Sequence, residues 1–340
     1  MKKYNILWLS LFFPAFIYSQ YTWGSSQSTN PVGVTNLEIS PQSGGDTSYT
    51  FLSGAYNQDS AYSGSIESIN GVTLTFIDLD GSLEETPYGE DELVAYLLKI
   101  RDGNPLYNGM VFPVIANNGN SVTIGEPPEN IALYFSENDC IDIIEANTLK
   151  GLFGEGEDFH GLKGTPSKSD NILIWTSVGW KTYFYKDEKW QTFGTRADQG
   201  STIIYPDEGI IYARRGEEDL TLSFSGNAPV TVQSYMPGPN QKFLMANPFP
   251  IEASLSQLIN TESNWEKSNN VNEADQILAW SGSTWNTYYL NTNNQWINAV
   301  TQQEEDLMIK SGESFFIARS DGFGSTALNA GFKKIDIPLP

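Results

Sequence analysis

The segment from Asp170 to Arg214 reappears 105 positions later as Asp275 to Arg319, with eleven of its 45 positions identical. A chain that carries one pattern twice is held to building one unit twice. Two copies are too few for a solenoid, so the expectation is two similar domains side by side. The identities include Asp170 with Asp275, Ile172-Leu173 with Ile277-Leu278, Trp175 with Trp280 and Trp180 with Trp285. Thr182-Tyr183 likewise matches Thr287-Tyr288, and Ala213-Arg214 matches Ala318-Arg319. Each copy reads as a strand, a turn, an aromatic strand, a turn with a Trp and a last strand. In the first copy these are Ile172 to Thr176, Lys181 to Tyr185, Trp190 to Phe193 and Ile210 to Arg214. Upstream, Leu149, Leu152 and Phe153 match Leu255, Leu258 and Ile259 at helical spacing, offset by 106. One short helix per copy follows, with Ser254 placed to cap the second.

Before the duplicated part, short β-type runs are bounded by turn signals. Ser63 to Ile69, Asn70-Gly71 and Val72 to Ile77 form one hairpin pattern, because Asn and Gly both accept positive φ. Val111 to Ala116, Asn117 to Asn120 and Ser121 to Ile124 form a second, and Leu93 to Ile100 adds another strand. The fold expected is all-β with minor α: a small N-terminal β-barrel or sandwich over 49–130, then homologous β-domains over 131–230 and 231–340. With 340 residues the chain is long enough for two or three cores.

The N-terminus bears on the compartment. Lys2 and Lys3 precede an apolar run from Ile6 to Ile17 that ends in Tyr18-Ser19-Gln20, the layout of a secretory signal peptide over 1–19. The run is shorter than the roughly 20 residues a spanning helix needs, which favours cleavage over anchoring. Residues 20–48, rich in Ser, Gly, Thr and Asn, read as an extended lead-in. Cys140 is the single cysteine, so no intramolecular disulfide exists and packing must supply the stability. A formal net charge of −22 repels the phosphate backbone, which excludes nucleic acid as a partner.

Catalytic equipment is sparse. His160 is the only histidine, and no Gly-x-Ser-x-Gly elbow presents a nucleophile to it. Ca²⁺ is the one cofactor the sequence suggests, through Glu155, Glu157 and Asp158 in a glycine-bearing turn and through Asp78 and Asp80. Neither stretch has EF-hand spacing. The carboxylates common to both copies, Asp170 with Asp275 and Glu208 with Glu313, suit turn formation and solubility. A glycosidase needs only two carboxylates at the right separation, so a polysaccharide hydrolase stays open.

The aromatic set is more informative. Trp175, Trp180, Tyr183, Tyr185 and Trp190 correspond to Trp280, Trp285, Tyr288, Leu290 and, after a one-residue slip, Trp296. Along Tyr183-Phe184-Tyr185 and Tyr288-Tyr289-Leu290 apolar character does not alternate. Both faces of that strand must then be covered, or one must be a contact surface. Recurrence favours core positions, while exposed rings would stack on sugars.

Asn30-Pro31-Val32-Gly33, Ser63-Gly64-Ser65-Ile66-Glu67-Ser68, Leu97 to Ile100 with Gly109, and the Trp- and Tyr-rich duplicated half resemble an uncharacterised family of exported, internally repeated β-rich proteins of Gram-negative bacteria. That resemblance implies architecture and export, and no activity. Some members end in a membrane-sorting helix, where this chain reads Ile335-Asp336-Ile337-Pro338-Leu339-Pro340. The expected role is noncatalytic, in assembly or adhesion at the cell exterior or outer surface, with self-association or other surface components as partners. A carbohydrate-binding module with polysaccharide as ligand is the alternative.

Overall fold

Two tight hairpins organise the first region. Gly71, at φ 58°, turns the chain after Asn70 so that Asn70 pairs with Thr73, and Asn118 pairs with Ser121 in the same way. The structure, a computed structural model, describes residues 32–336 except 55, 57, 59, 80–82, 84–94, 105–106, 126–129, 177–178, 207, 229–230, 235–239, 260–264 and 321–332. The predicted signal peptide and the first part of the lead-in therefore lie outside the described residues.

Six strands close an antiparallel barrel. They follow β1 (Val32–Ile39) and β2 (Ser48–Ser53), and comprise β3 (Ser60–Asn70), β4 (Thr73–Phe76), β5 (Tyr96–Asp102), β6 (Val111–Asn118), β7 (Ser121–Ile124) and β8 (Cys140–Glu145). Alternating apolar residues such as Ile66, Leu74, Leu98, Val122 and Ile141 fill the interior, as the period-2 side-chain direction of a strand requires. Tyr134 and Phe135, beside a single 3-10 turn, join that core.

After the barrel come β9 (Asn147–Thr148), α1 (Leu149–Phe153), β10 (Asn171–Thr176), β11 (Gly179–Lys186), β12 (Lys189–Thr192), β13 (Ile203–Ile204), β14 (Gly209–Arg214) and β15 (Leu220–Asn227). The remaining chain forms β16 (Thr231–Ser234), β17 (Lys242–Ala246), β18 (Ala253–Ser254), α2 (Leu255–Leu258), β19 (Gln276–Trp280), β20 (Trp285–Leu290), β21 (Trp296–Asn298), β22 (Met308–Ile309), β23 (Ser314–Ala318) and β24 (Lys333–Asp336). The protein is all-β with two short α-helices among the described residues.

Two five-stranded antiparallel sheets have the same construction. One runs β12-β11-β10-β14-β2 and the other β21-β20-β19-β23-β17. Small two-stranded sheets repeat too: β9 with β13 and β18 with β22, β1 with β15 and β16 with β24. Individual hydrogen bonds follow. Asn171 Nδ2 donates to Pro166 O as Gln276 Nε2 donates to Val271 O, and Gln199 N donates to Trp190 O as Glu305 N donates to Trp296 O. The one-residue slip between Trp190 and Trp296 has a local cause. Four residues separate Tyr185 from its strand partner Trp190, and five separate Leu290 from Trp296.

Each helix starts on a side-chain cap. Thr148 Oγ1 accepts from Gly151 N, and Gln257 Oε1 accepts from Ser254 N.

Strand pairing joins segments that lie far apart in the chain. β2, read within the 49–130 domain, is the edge strand of the first five-stranded sheet. β8, read within 131–230, pairs with β3 and β5 to close the barrel. β1, inside the predicted lead-in, pairs along its whole length with β15. The barrel's strands thus lie in sequence between β2 and β10, two strands of the first five-stranded sheet, which with its small sheets forms the first half. Residues 31–340 form one unit, and the barrel meets the first half through Leu97 and Ile144 against Ile203.

Candidate functional site

The eight aromatic residues singled out from the sequence part into two groups, because successive side chains on a strand point to opposite faces. Tyr183 and Trp190 sit in the core of the first half with Ile172, Ile174 and Tyr185. Tyr288 and Trp296 occupy the matching core of the second with Ile277 and Leu290. These four are buried. Trp175, Trp180, Trp280 and Trp285 project from the other faces of the two sheets, toward the line where the sheets meet.

That seam is built around a local two-fold relationship. Leu52 bridges to Glu313, and Met245 bridges to Glu208. Leu52 pairs with Ile210 as Met245 pairs with Phe315, so the bridging residues occupy equivalent places in the two sheets. Such an arrangement is isologous, the geometry of a two-fold dimer interface. Each glutamate also folds its own turn: Glu208 Oε2 accepts from Tyr205 N and Glu313 Oε2 from Lys310 N. Gly209 lets the backbones approach. A Cβ there would lie 2.6 Å from Leu244 Cγ and 2.7 Å from Ser314 Cβ.

Six rings line the seam. Trp175 and Trp180 meet edge to face at 5.0 Å, and Trp280 and Trp285 meet at 5.2 Å. Phe316 lies 5.9 Å from Trp180 and 5.6 Å from Trp285, and Phe51 lies 4.9 Å from Trp285. Contacts of this kind add roughly 0.5–1.5 kcal/mol beyond area burial. The seam is not sealed: Trp180 is 39% exposed and Trp285 37%. Phe51 and Phe316 escaped the sequence reading. Phe51 lies outside the segments compared in the sequence, and Phe316 stands opposite an isoleucine, Ile211, at the 105-residue offset. The alternation of Tyr49, Phe51 and Ser53 on one strand face was the available signal.

Where β10 begins and β14 ends, and again where β19 begins and β23 ends, is a buried ion pair. Asp170 Oδ2 accepts from Arg214, from Tyr212 Oη at 3.0 Å and from Leu162 N at 2.9 Å, while its Oδ1 accepts from Arg215 N at 2.7 Å. Asp275 binds Arg319 Nε at 2.8 Å, Glu266 N at 2.9 Å and Ser320 N at 2.7 Å. These carboxylates staple the loops before β10 and β19 to the ends of β14 and β23, a larger role than the turn formation and solubility expected. Burial, then the Asp170 charge, pushes the Tyr212 hydroxyl up from its ordinary range.

His160 lies on the rim of a cleft of about 310 Å³, lined by Phe153, Phe159, Tyr212 and Leu222 with Asp158 nearby. Tyr212, which lines this cleft, donates its hydroxyl to Asp170 Oδ2. Glu155, Glu157 and Asp158 are exposed on the adjoining loop. Lys163 Nζ and Tyr185 Oη hold that loop through Gly156. Asp78 is exposed at φ 63° after β4, and Asp80 lies outside the described residues. Among the described residues no three His, Cys, Asp or Glu side chains converge as a metal site.

Comparison with protein-family models, with characterised proteins and with solved structures returns no match.

Proposed function

We propose that this is a noncatalytic component of the cell exterior, exported through the N-terminal segment and acting in assembly or adhesion. Its two halves, in this reading, descend from one duplicated unit. The observation that carries the proposal is the open aromatic seam, where two half-exposed indoles stand on a rigid two-sheet platform. Contiguous exposed apolar surface on a folded protein marks a contact site.

The acidity of the chain sets the conditions of contact. A net charge of −22 opposes association of like surfaces, and salt or divalent cations screen that repulsion. Self-association should therefore strengthen with added salt or Ca²⁺. Sedimentation of the purified mature chain across a calcium and salt series tests this, together with a turnover assay on polysaccharides. Association that grows with ionic strength supports the proposal. A strict monomer under every condition argues against assembly, and measurable hydrolysis overturns the noncatalytic reading.

A further inference from the structure

We infer that the seam is a binding groove for an uncharged polysaccharide chain, with Trp180 and Trp285 as its two stacking platforms. The inference rests on the reading of the seam as a contact surface and names what the contact takes.

Both indoles reach the same central ring, Phe316, at 5.9 and 5.6 Å, so their centroids lie at most 11.5 Å apart. Two equivalent flat rings at short separation suit a ligand that presents the same face repeatedly, as a chain of linked pyranoses does. Pyranose faces carry C–H groups, and a Trp face offers them apolar area on a side chain with little entropy to lose.

Ser53 and Ser314, which share strand faces with Phe51 and Phe316, are buried with hydroxyls that a guest cannot reach, so the exposed indoles carry the contact. Charge then excludes the acidic glycans, which the chain's net charge of −22 repels.

Affinity electrophoresis of the full mature chain tests this, in gels containing hydroxyethylcellulose, laminarin or galactomannan, with alginate as the acidic control. At least one neutral polymer should retard the protein and alginate should not. Trp180→Ala and Trp285→Ala should each weaken retardation by about ten-fold, roughly the 1.4 kcal/mol that a decade represents. Trp180→Phe, which keeps a ring, should recover part of the loss. Leu133→Ala removes an exposed apolar side chain on the 3-10 turn beside the barrel and should change nothing. Circular dichroism confirms that each variant folds. Retardation unchanged in the double tryptophan variant, or no neutral polymer retarding the native chain, overturns the inference and leaves the noncatalytic exterior role standing. Hydrolysis of a retarding polymer would instead overturn that role and leave the groove intact.

Discussion

Asp170 and Arg214, 44 positions apart in the sequence, form an ion pair buried at the end of the first sheet, and Asp275 and Arg319 repeat it in the second. Removing one partner leaves an uncompensated buried charge. Asp170→Asn should therefore lower stability by about 3–5 kcal/mol, read as a shift in denaturant midpoint. Asp275→Asn should cost a similar amount. A loss below about 1 kcal/mol for either, the range of exposed pairs, would mean that the staple is solvated.

The two groups of tryptophans should respond differently to truncation. Trp190 is buried, and its indole N–H donates to Gly154 O at 3.0 Å. Trp190→Ala should cost about 3–5 kcal/mol through the cavity it leaves. Trp180→Ala removes a half-exposed ring and should cost much less. Equal losses in thermal unfolding would contradict the division between core and seam.

Gly209 packs closely against Leu244 and Ser314 of the second sheet. Gly209→Ala would press a methyl group against Leu244 and Ser314. Overpacking of this kind costs about 1–3 kcal/mol. A neutral result in chemical denaturation would show that the seam has slack.

Several tyrosine hydroxyls are raised by burial, Tyr288 and Tyr212 among them. Burial, reinforced by Glu305, pushes the Tyr288 hydroxyl up to about 12, and Tyr212 is raised by burial and Asp170. A pKa raised by folding gives stability that is complete below the unfolded value, near 10, and is lost as pH rises through the folded value. The protein should accordingly weaken between about pH 10 and 12, with Tyr288 and Tyr212 ionising late in a phenolate absorbance titration. Tyr288→Phe should flatten part of that decline. An unchanged profile would dissociate Tyr288 from it.

Much of this architecture is legible in the sequence, for identifiable reasons. The Asn70-Gly71 turn and the Leu149 and Leu255 helices are local patterns, fixed by residues close in the chain. The membership of β2 and β8 is not local. β2 finds its partner β14 across the whole barrel, and β8 completes the barrel from beyond it. Alternation shows that a strand has two faces without showing which sheet covers each. For the same reason Trp175 and Tyr183 read alike in sequence, although one faces the seam and the other a core. The ion pairs were readable: an acid and an arginine recur together in both copies, yet the acids alone suggested only turns.

The central claim is that two matched halves meet across a local two-fold seam, and cross-linking reads it directly. In a Cys140→Ser background, Leu52→Cys with Glu313→Cys and Met245→Cys with Glu208→Cys place thiols at the two equivalent bridges. Paired antiparallel positions lie within the Cα separation a disulfide needs. Mild oxidation followed by intact mass and thiol counting should show both pairs closing, to similar extents and within single chains. Closure of one pair without the other would contradict the two-fold seam.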